Sequence, residues 1–559
     1  MQRTCAQCQE SFVITDEDLA FYESISPEFG GEKYPIPAPT LCPICRLIRR
    51  LLFRNERNLY HRKSDLSGKP IISTVATEKP YVIYDQDEWW SDQWDGKTYG
   101  RTFDVSRSFM EQVHSLNREV PHPSLNTTNV ENSAYTNYSL NVKNSYLVFG
   151  VSHAEDCMYG KFVITCKDCV DCLSIFSSER CYEGVAASRC YHCAYFSYCQ
   201  NCSDCFLVED CIGCKNCIMC LGLQQQEYCI FNEKLDRETY EKRKGELLGG
   251  LTVERIRALT DQFQEFKRDK PHRASHLFAC EDCSGDMQTN CKDCCSCFDM
   301  SDSEHCRYVA FMPKGLCAYD ANFGSPTGVQ WSLEMCCSMG QYCMGNYLCW
   351  DCNNTYYSID CKNCKNCFGC VGLKHQQHCI LNTQYTPEDY PKTVQLIIAA
   401  MQKAGEWGEY FPPFVSQFAY NESLAQEYFP LSREDAIAQA WQWRNDDETE
   451  LPPRSITVDQ LPSTIEQTND DVLLRPVICQ KTGRPFNFVK QELAFYRSMG
   501  LPLPHLHPDE RSADRLRRKN PYRLWERQCN YCGKTIQSNY APERPEIVYC
   551  EECYLAEVY

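Results

Sequence analysis

No run of apolar residues in this 559-residue chain approaches the roughly eighteen that a membrane-spanning helix requires. The opening MQRTCAQC holds no apolar core of signal-peptide length. A membrane protein is set aside, and the cytoplasm is the expected location. There thiols stay reduced, and paired cysteines bind metal more often than they form disulfides; a disulfide-rich secreted protein is the rival. Positive charge is short as well. With 57 Lys and Arg against 75 Asp and Glu the net charge is −18, which argues against nucleic acid coating the whole chain but leaves local basic patches open. The motifs of nucleotide and hydrolytic chemistry are missing. There is no G-x-x-x-x-G-K-[ST], no G-x-G-x-x-G, no H-E-x-x-H and no G-x-S-x-G. With no catalytic constellation, a non-enzymatic role is expected.

Cysteine is what the chain has in excess, 42 residues, and their spacing carries more than their number. Cys157, Cys169, Cys181, Cys193, Cys205, Cys217 and Cys229 fall on every twelfth residue. Cys166, Cys172, Cys190, Cys199, Cys202, Cys211, Cys214 and Cys220 all lie a multiple of three from that series. A fixed period marks a stack of small repeating units. The first array spans 132–232 and a second spans 274–382. Between them, Asp210 to Leu223 matches Asp360 to Leu373, and Cys229 to Asn232 matches Cys379 to Asn382. The expected fold is mainly β with helical connectors, built on cysteine-laddered β-solenoid arrays whose narrow interiors suit a small, readily buried side chain. Strand side chains alternate with period two, so a period of three demands frequent corners. Coils of twelve or of twenty-four residues both fit. A charged helical segment, 233–273, and a helical and aromatic segment, 383–445, follow the arrays where caps are needed.

The two ends, 1–90 and 474–559, are copies of one module. Cys5, Cys8, Phe12, Leu19 to Tyr22, Cys42, Cys45 and Arg46 answer Cys479, Thr482, Phe486, Leu493 to Tyr496, His507, Glu510 and Arg511. The match runs on to a second pair of spacings. Cys529, Cys532, Cys550 and Cys553 have zinc-ribbon spacing, and their N-terminal equivalents are Ser64, Ser67, Asp85 and Glu88. Each copy thus keeps one full thiolate set and one weakened set. Four thiolates make a closed tetrahedral site that suits zinc and folds the module around it. At least two structural Zn2+ ions are expected, on Cys5, Cys8, Cys42 and Cys45, and on Cys529, Cys532, Cys550 and Cys553. Hydrogen-bonded packing is expected at the weakened sets, with Cys479, His507 and Glu510 open as a weak ion site. Residues 91–131 read as a helical and aromatic connector. Residues 446–473, acidic and carrying Pro452 and Pro453, read as a linker.

The N-terminal pattern, C-x-x-C, Phe, an acidic residue before Phe-Tyr, then Pro and C-x-x-C-R, resembles a zinc-ribbon family over about the first fifty residues. The interval from Cys8 to Cys42 is longer here. The whole chain resembles a set of cysteine-rich zinc-ribbon proteins of small-genome bacteria. The resemblance implies metal binding and carries no activity with it.

Three chemistries are open for the array thiols: a reduced core ladder, further zinc sites, or an iron–sulfur cluster. The last is disfavoured. The densest runs, Cys211 to Cys220 and Cys361 to Cys370, end on a gap of two with no following proline, unlike the bacterial ferredoxin run. Basic residues cluster after the first site of each module: Arg46, Arg49, Arg50, Arg54 and Arg57, then Arg511, Arg515, Arg517, Arg518 and Lys519. A zinc-pinned helix with such a face could grip phosphates, RNA sooner than DNA, or dock on the acidic surface of its own chain. The expectation is a zinc scaffold binding nucleic acid. The alternatives are a protein-interaction scaffold using the solenoid surface, and a thiol redox or metal-storage protein.

Overall fold

The computed structural model describes residues 1–324, 328–445 and 451–558. The fold is mainly β with helices, and two large, mostly parallel sheets dominate it. The first has 13 strands, from Thr127–Glu131 to Glu233–Lys234, and the second has 11, from Leu277–Phe278 to Thr383–Gln384. Successive strands pair in chain order with a constant offset. Leu173 pairs with Val185, Ala194 with Phe206 and Cys217 with Cys229, each twelve residues on. The second array keeps this step at Phe298 and Ala310 and at Cys367 and Cys379, but slips at Leu277 with Gln288 and at Gly315 with Val329. The pairing unit is therefore twelve residues.

The period of three has a backbone cause. Asp168, Asp171, Ser174, Ser177, Arg180, Glu183 and Ala186 all have φ between 48° and 54°. Every third residue is a left-handed corner, so twelve residues make four short sides. A non-glycine residue held there costs of order 1 kcal/mol, and Asp and Asn, frequent at these corners, tolerate it best. The ladder offsets this: Leu173 N–H donates to Gly184 O at 2.8 Å and Arg180 N–H to Lys167 O at 3.0 Å. The residue after each corner turns inward. Cys169, Cys172, Ile175, Ser178 and Cys181 are all buried.

Inside, each thiol donates to the carbonyl two residues before it: Cys169 to Lys167 O at 3.3 Å, Cys172 to Val170 O at 3.4 Å and Cys181 to Glu179 O at 3.4 Å. Ser178 makes the same bond to Phe176 O at 2.9 Å, and Cys190 N–H donates to its hydroxyl at 3.0 Å. Serine and cysteine are thus interchangeable in the row. The ladder needs a small side chain with one donor proton, which a thiol meets with little polar surface to desolvate.

Both arrays end in an antiparallel pair, Cys229 with Lys234 and Cys379 with Gln384. The helices Arg237–Leu248 and Asp389–Ala404 follow, burying Tyr240 and Tyr390. The arrays lie against each other, with the Phe162 and Phe311 ring centroids 3.6 Å apart. One reading of the sequence needs correction. Of the segment expected to be a linker, residues 446–450 lie outside the described residues, but the stretch from Ile456 to Val472 is anchored by packed side chains. Ile456, Val458, Leu461, Ile465 and Val472 are buried with Leu493 and Tyr496 in one apolar cluster, because five apolar side chains outweigh the acidic residues between them.

Candidate metal centres and the basic helices

Four turns of the same shape sit at the two ends of the chain. In each, the N–H of the first residue donates to the carbonyl five residues on: Cys5 to Glu10, Ser64 to Lys69, Cys479 to Arg484 and Cys529 to Lys534, at 2.8 to 2.9 Å. In each, the residue four on donates back to the first carbonyl, from Gln9, Gly68, Gly483 and Gly533. That residue is left-handed every time, with φ from 61° to 74°, which explains three glycines at this position. A backbone N–H from the second half-site also reaches the first side chain. Cys42, His507 and Cys550 donate to the sulfurs of Cys5, Cys479 and Cys529 at 3.2 Å, and Asp85 donates to Ser64 Oγ at 3.3 Å. The same backbone shape recurs where the cysteines are absent.

Two of the four turns complete a thiolate set. The sulfurs of Cys5, Cys8, Cys42 and Cys45 lie within 4.8 Å of one another, and so do those of Cys529, Cys532, Cys550 and Cys553. Cys8 and Cys42 are 3.7 Å apart, Cys532 and Cys550 3.8 Å. A tetrahedral site with metal–sulfur bonds of about 2.3 Å has edges of about 3.8 Å, so both sets fit a metal ion. Donors to sulfur favour the thiolate. At Cys529 burial opposes ionisation, but the N–H groups of Cys532 and Cys550 prevail and hold the thiol near 6. The neighbouring Cys45 draws Cys42 down to about 5. Among the described residues no other group of three or more Cys, His, Asp or Glu converges this closely. The runs at Cys211 to Cys220 and Cys361 to Cys370 stay in the ladders.

The weakened sets are filled by hydrogen bonds. Ser64 donates to Glu88 in place of a shared ion. In the C-terminal copy Glu510 is taken by Lys481 at 2.6 Å, and His507 Nδ1 accepts from Asp509 N–H at 3.1 Å, capping the helix Pro508–Arg518. Burial lowers His507 to about 4, so it is neutral in that role.

The basic residues expected to meet phosphates are mostly turned inward, a correction to the exposed face that a nucleic-acid interface requires. The helix Pro43–Leu51 begins at Pro43, next to ligand Cys42, and lies on the second array. Arg46 pairs with Asp320 at 2.9 Å, Arg50 with Asp320 and Glu334 at 3.1 and 2.6 Å, and Arg49 with Glu334 and Glu409 at 3.1 and 2.8 Å. Arg54 binds Glu56 at 2.6 Å, and Arg57 binds Asp509 at 2.9 Å. The helix Pro508–Arg518 lies on the first array. Arg515 holds Asp171 and Glu183, both at 2.8 Å, and Arg511 pairs with Asp171, while Lys519, just past the helix, pairs with Asp299 of the second array. Arg518 reaches Glu183 from a partly exposed position, and Arg517, 59% exposed, pairs among the described residues with its neighbour Asp514.

The two dockings are copies. Tyr159, Asp171 and Glu183 on one array stand where Tyr308, Asp320 and Glu334 stand on the other. Glu492 accepts from Tyr159 at 2.7 Å as its counterpart Asp18 accepts from Tyr308 at 3.1 Å. Burial lifts the Glu492 carboxyl above its ordinary range against the pull of Arg511. Sequence reasoning did not single out these carboxylates. Their signal was a tyrosine twelve residues before an aspartate in both arrays. In comparisons with known proteins, the chain matches no protein-family model and no curated protein sequence.

Proposed function

We propose that this chain is a non-enzymatic zinc scaffold, in which two tetrathiolate modules clasp a pair of β-solenoids and hold their ladder faces for a protein partner. The observation that carries the reading is the crossed docking. The N-terminal metal module locks onto the second array, and the C-terminal module onto the first, through buried ion pairs. The C-terminal module also reaches the segment leading into the second array, where Pro271–Arg273 pairs with Ile547–Tyr549, immediately before Cys550. Such sites are closed and soft, which favours structural zinc. The thiol ladders, each proton donated to a carbonyl, support a reduced and structural role in the cytoplasm over redox cycling or metal storage. An ordered strip favours a protein partner. Glu131, Lys143, Glu155, Lys167 and Glu179 alternate in charge at steps of twelve, with Lys167 and Glu155 3.3 Å apart. Nucleic acid is the second reading, resting on Arg517 and Arg518 as the exposed end of a basic helix.

Metal analysis of protein purified without oxygen tests the scaffold: two zinc per chain are expected, and iron with visible absorbance would overturn it. Salt-dependent RNA binding that disappears when Arg517 and Arg518 are replaced would overturn the choice of partner.

A further inference from the structure

Between the two arrays lies a cleft of about 760 Å3. Leu140, Ile164 and Phe176, spaced by multiples of twelve residues on the first array, line one wall. Phe278, Met300 and Trp350 of the second line the other. Arg54 and Cys337, both buried, line it as well. Cys337 is unlike the ladder thiols. It sits at a corner, with φ 53°, rather than after one, so its side chain leaves the interior row. It makes no bond to a carbonyl two residues before it. Instead Arg54 Nη1 donates to its sulfur at 3.0 Å.

That guanidinium is immobilised. Its Nε is held by Glu56 at 2.6 Å, and its carbon lies 3.9 Å from the Tyr138 ring centroid and 4.2 Å from that of Phe323. Arginine has only donors, so a sulfur facing it is favoured as the anion. The Cys336 sulfur lies 3.8 Å away, and its thiol proton can be shared between Cys337 and the Arg50 carbonyl at 3.5 Å. Glu56, Tyr138, Tyr347 and Tyr410 are the other titratable groups facing Cys337. Burial opposes ionisation, but the Cys336 thiol and Arg54 outweigh it and hold the Cys337 thiol below its ordinary value. A thiol whose anion is favoured by an immobilised guanidinium, in an apolar cleft with room for a small molecule, is a nucleophile without an assigned electrophile.

We propose that the cleft binds apolar, low-molecular-weight disulfides and captures them on Cys337. The Cys337 sulfur attacks one sulfur of R–S–S–R, a new S–S bond forms as the old one breaks, and one RS− leaves and takes a proton from water. The protein keeps the other half as a mixed disulfide. Nothing is reduced or oxidised beyond this exchange, and the metal sites take no part.

The test uses the full chain with both metal sites loaded and the uncharged aromatic disulfide 4,4′-dithiodipyridine. Thiopyridone release gives the rate, and peptide mass spectrometry gives the position. Cys280, Cys283 and Cys295 are the internal controls, being more exposed and having thiols pushed up, Cys280 by its hydrogen bond with Cys291 and then by burial, the other two by burial. Cys337 is expected to react first, and at a pH where the controls are still slow. Arg54→Met removes a charge-assisted hydrogen bond and is expected to slow Cys337 roughly ten- to a hundredfold. Because Arg54 is buried and that variant can misfold, Ile164→Trp serves beside it. It narrows the cleft without touching Arg54 or Cys337, and is expected to slow Cys337 while leaving Cys280 unchanged. The proposal is overturned if the controls react first with Cys337 protected. It is also overturned if Cys337 is indifferent to Ile164→Trp and accelerates with pH in step with Cys280.

Discussion

Arg515 offers the most direct test of whether the basic helices are internal struts. Its side chain is 1% exposed, with Asp171 and Glu183 each 2.8 Å from Nη1 and the Tyr159 carbonyl 3.2 Å from Nη2. Arg515→Met keeps the apolar stem and deletes the charge. Asp171, fully buried, then keeps only Arg511, and Glu183 keeps the half-exposed Arg518. Removing one partner of a buried ion pair costs about 3–5 kcal/mol when the other charge is left uncompensated, and this is an upper bound here because Arg511 and Arg518 still face the two carboxylates. At about 1.36 kcal/mol per factor of ten, the helix Pro508–Arg518 should open more often by at least one and at most nearly four powers of ten. Native-state hydrogen exchange of its amides reads that opening directly, without assuming that so large a chain unfolds in one step. Arg517→Ala, on an exposed side chain, is expected to change protection by less than about 0.5 kcal/mol. Restoring balance with Arg515→Met and Asp171→Asn together should recover part of the loss. Less than tenfold faster exchange in Arg515→Met would refute the strut, and would return the residue to the pool of available phosphate contacts.

Cys190→Ser should leave the denaturation midpoint almost unchanged, since Ser178 already fills the same row, whereas Cys190→Leu overpacks the interior and should cost about 1–3 kcal/mol in the same measurement. Cys532→Ser should release one metal equivalent, read by elemental analysis, and speed hydrogen exchange at 271–273, whose strand partner adjoins Cys550. His276 gives a pH signature. Burial alone would lower its basicity, but Asp286 at 2.9 Å and Asp210 at 3.5 Å prevail and lift it to about 10. Unfolded, it titrates near 6.5. The raised folded value means its stabilisation is full below about 6.5 and lost as pH rises through about 10, so the melting temperature should fall across that window less in His276→Gln than in the wild type.

The arrays were legible because their signal is local and repeated. Once Cys157 and Cys169 are known to be equivalent, each following cysteine tests the same period; the choice between coils of twelve and of twenty-four residues needed the strand pairing, which steps by twelve. The turns at Cys5 and Cys529 were legible for a similar reason, since ligand spacing and backbone shape are set within a few residues. The basic helices were not. Arg46 and Arg50, like Arg511 and Arg515, are four apart on one helix face, and that spacing suits a row of phosphates as well as a pair of carboxylates. Nor was the packing of 456–472, whose apolar residues follow no helical or strand period. Cys337 is one residue away from Cys336 and looks like its duplicate in the sequence. Only the corner conformation separates a ladder thiol from one facing a cleft.

The sequence by itself determined the repeat, the duplication and the two four-cysteine sets, because each depends on chain separation and residue size. The tertiary structure decided which charges meet. A module at one end of the chain is as close in sequence to neither array's carboxylates as to solvent, and its helix carries the same arginines wherever it lies. Crossing the N-terminal module onto the second array, and the C-terminal module onto the first, buries those arginines against Asp320, Glu334, Asp171 and Glu183. Long-range charge pairing fixes that choice, and no local period records it.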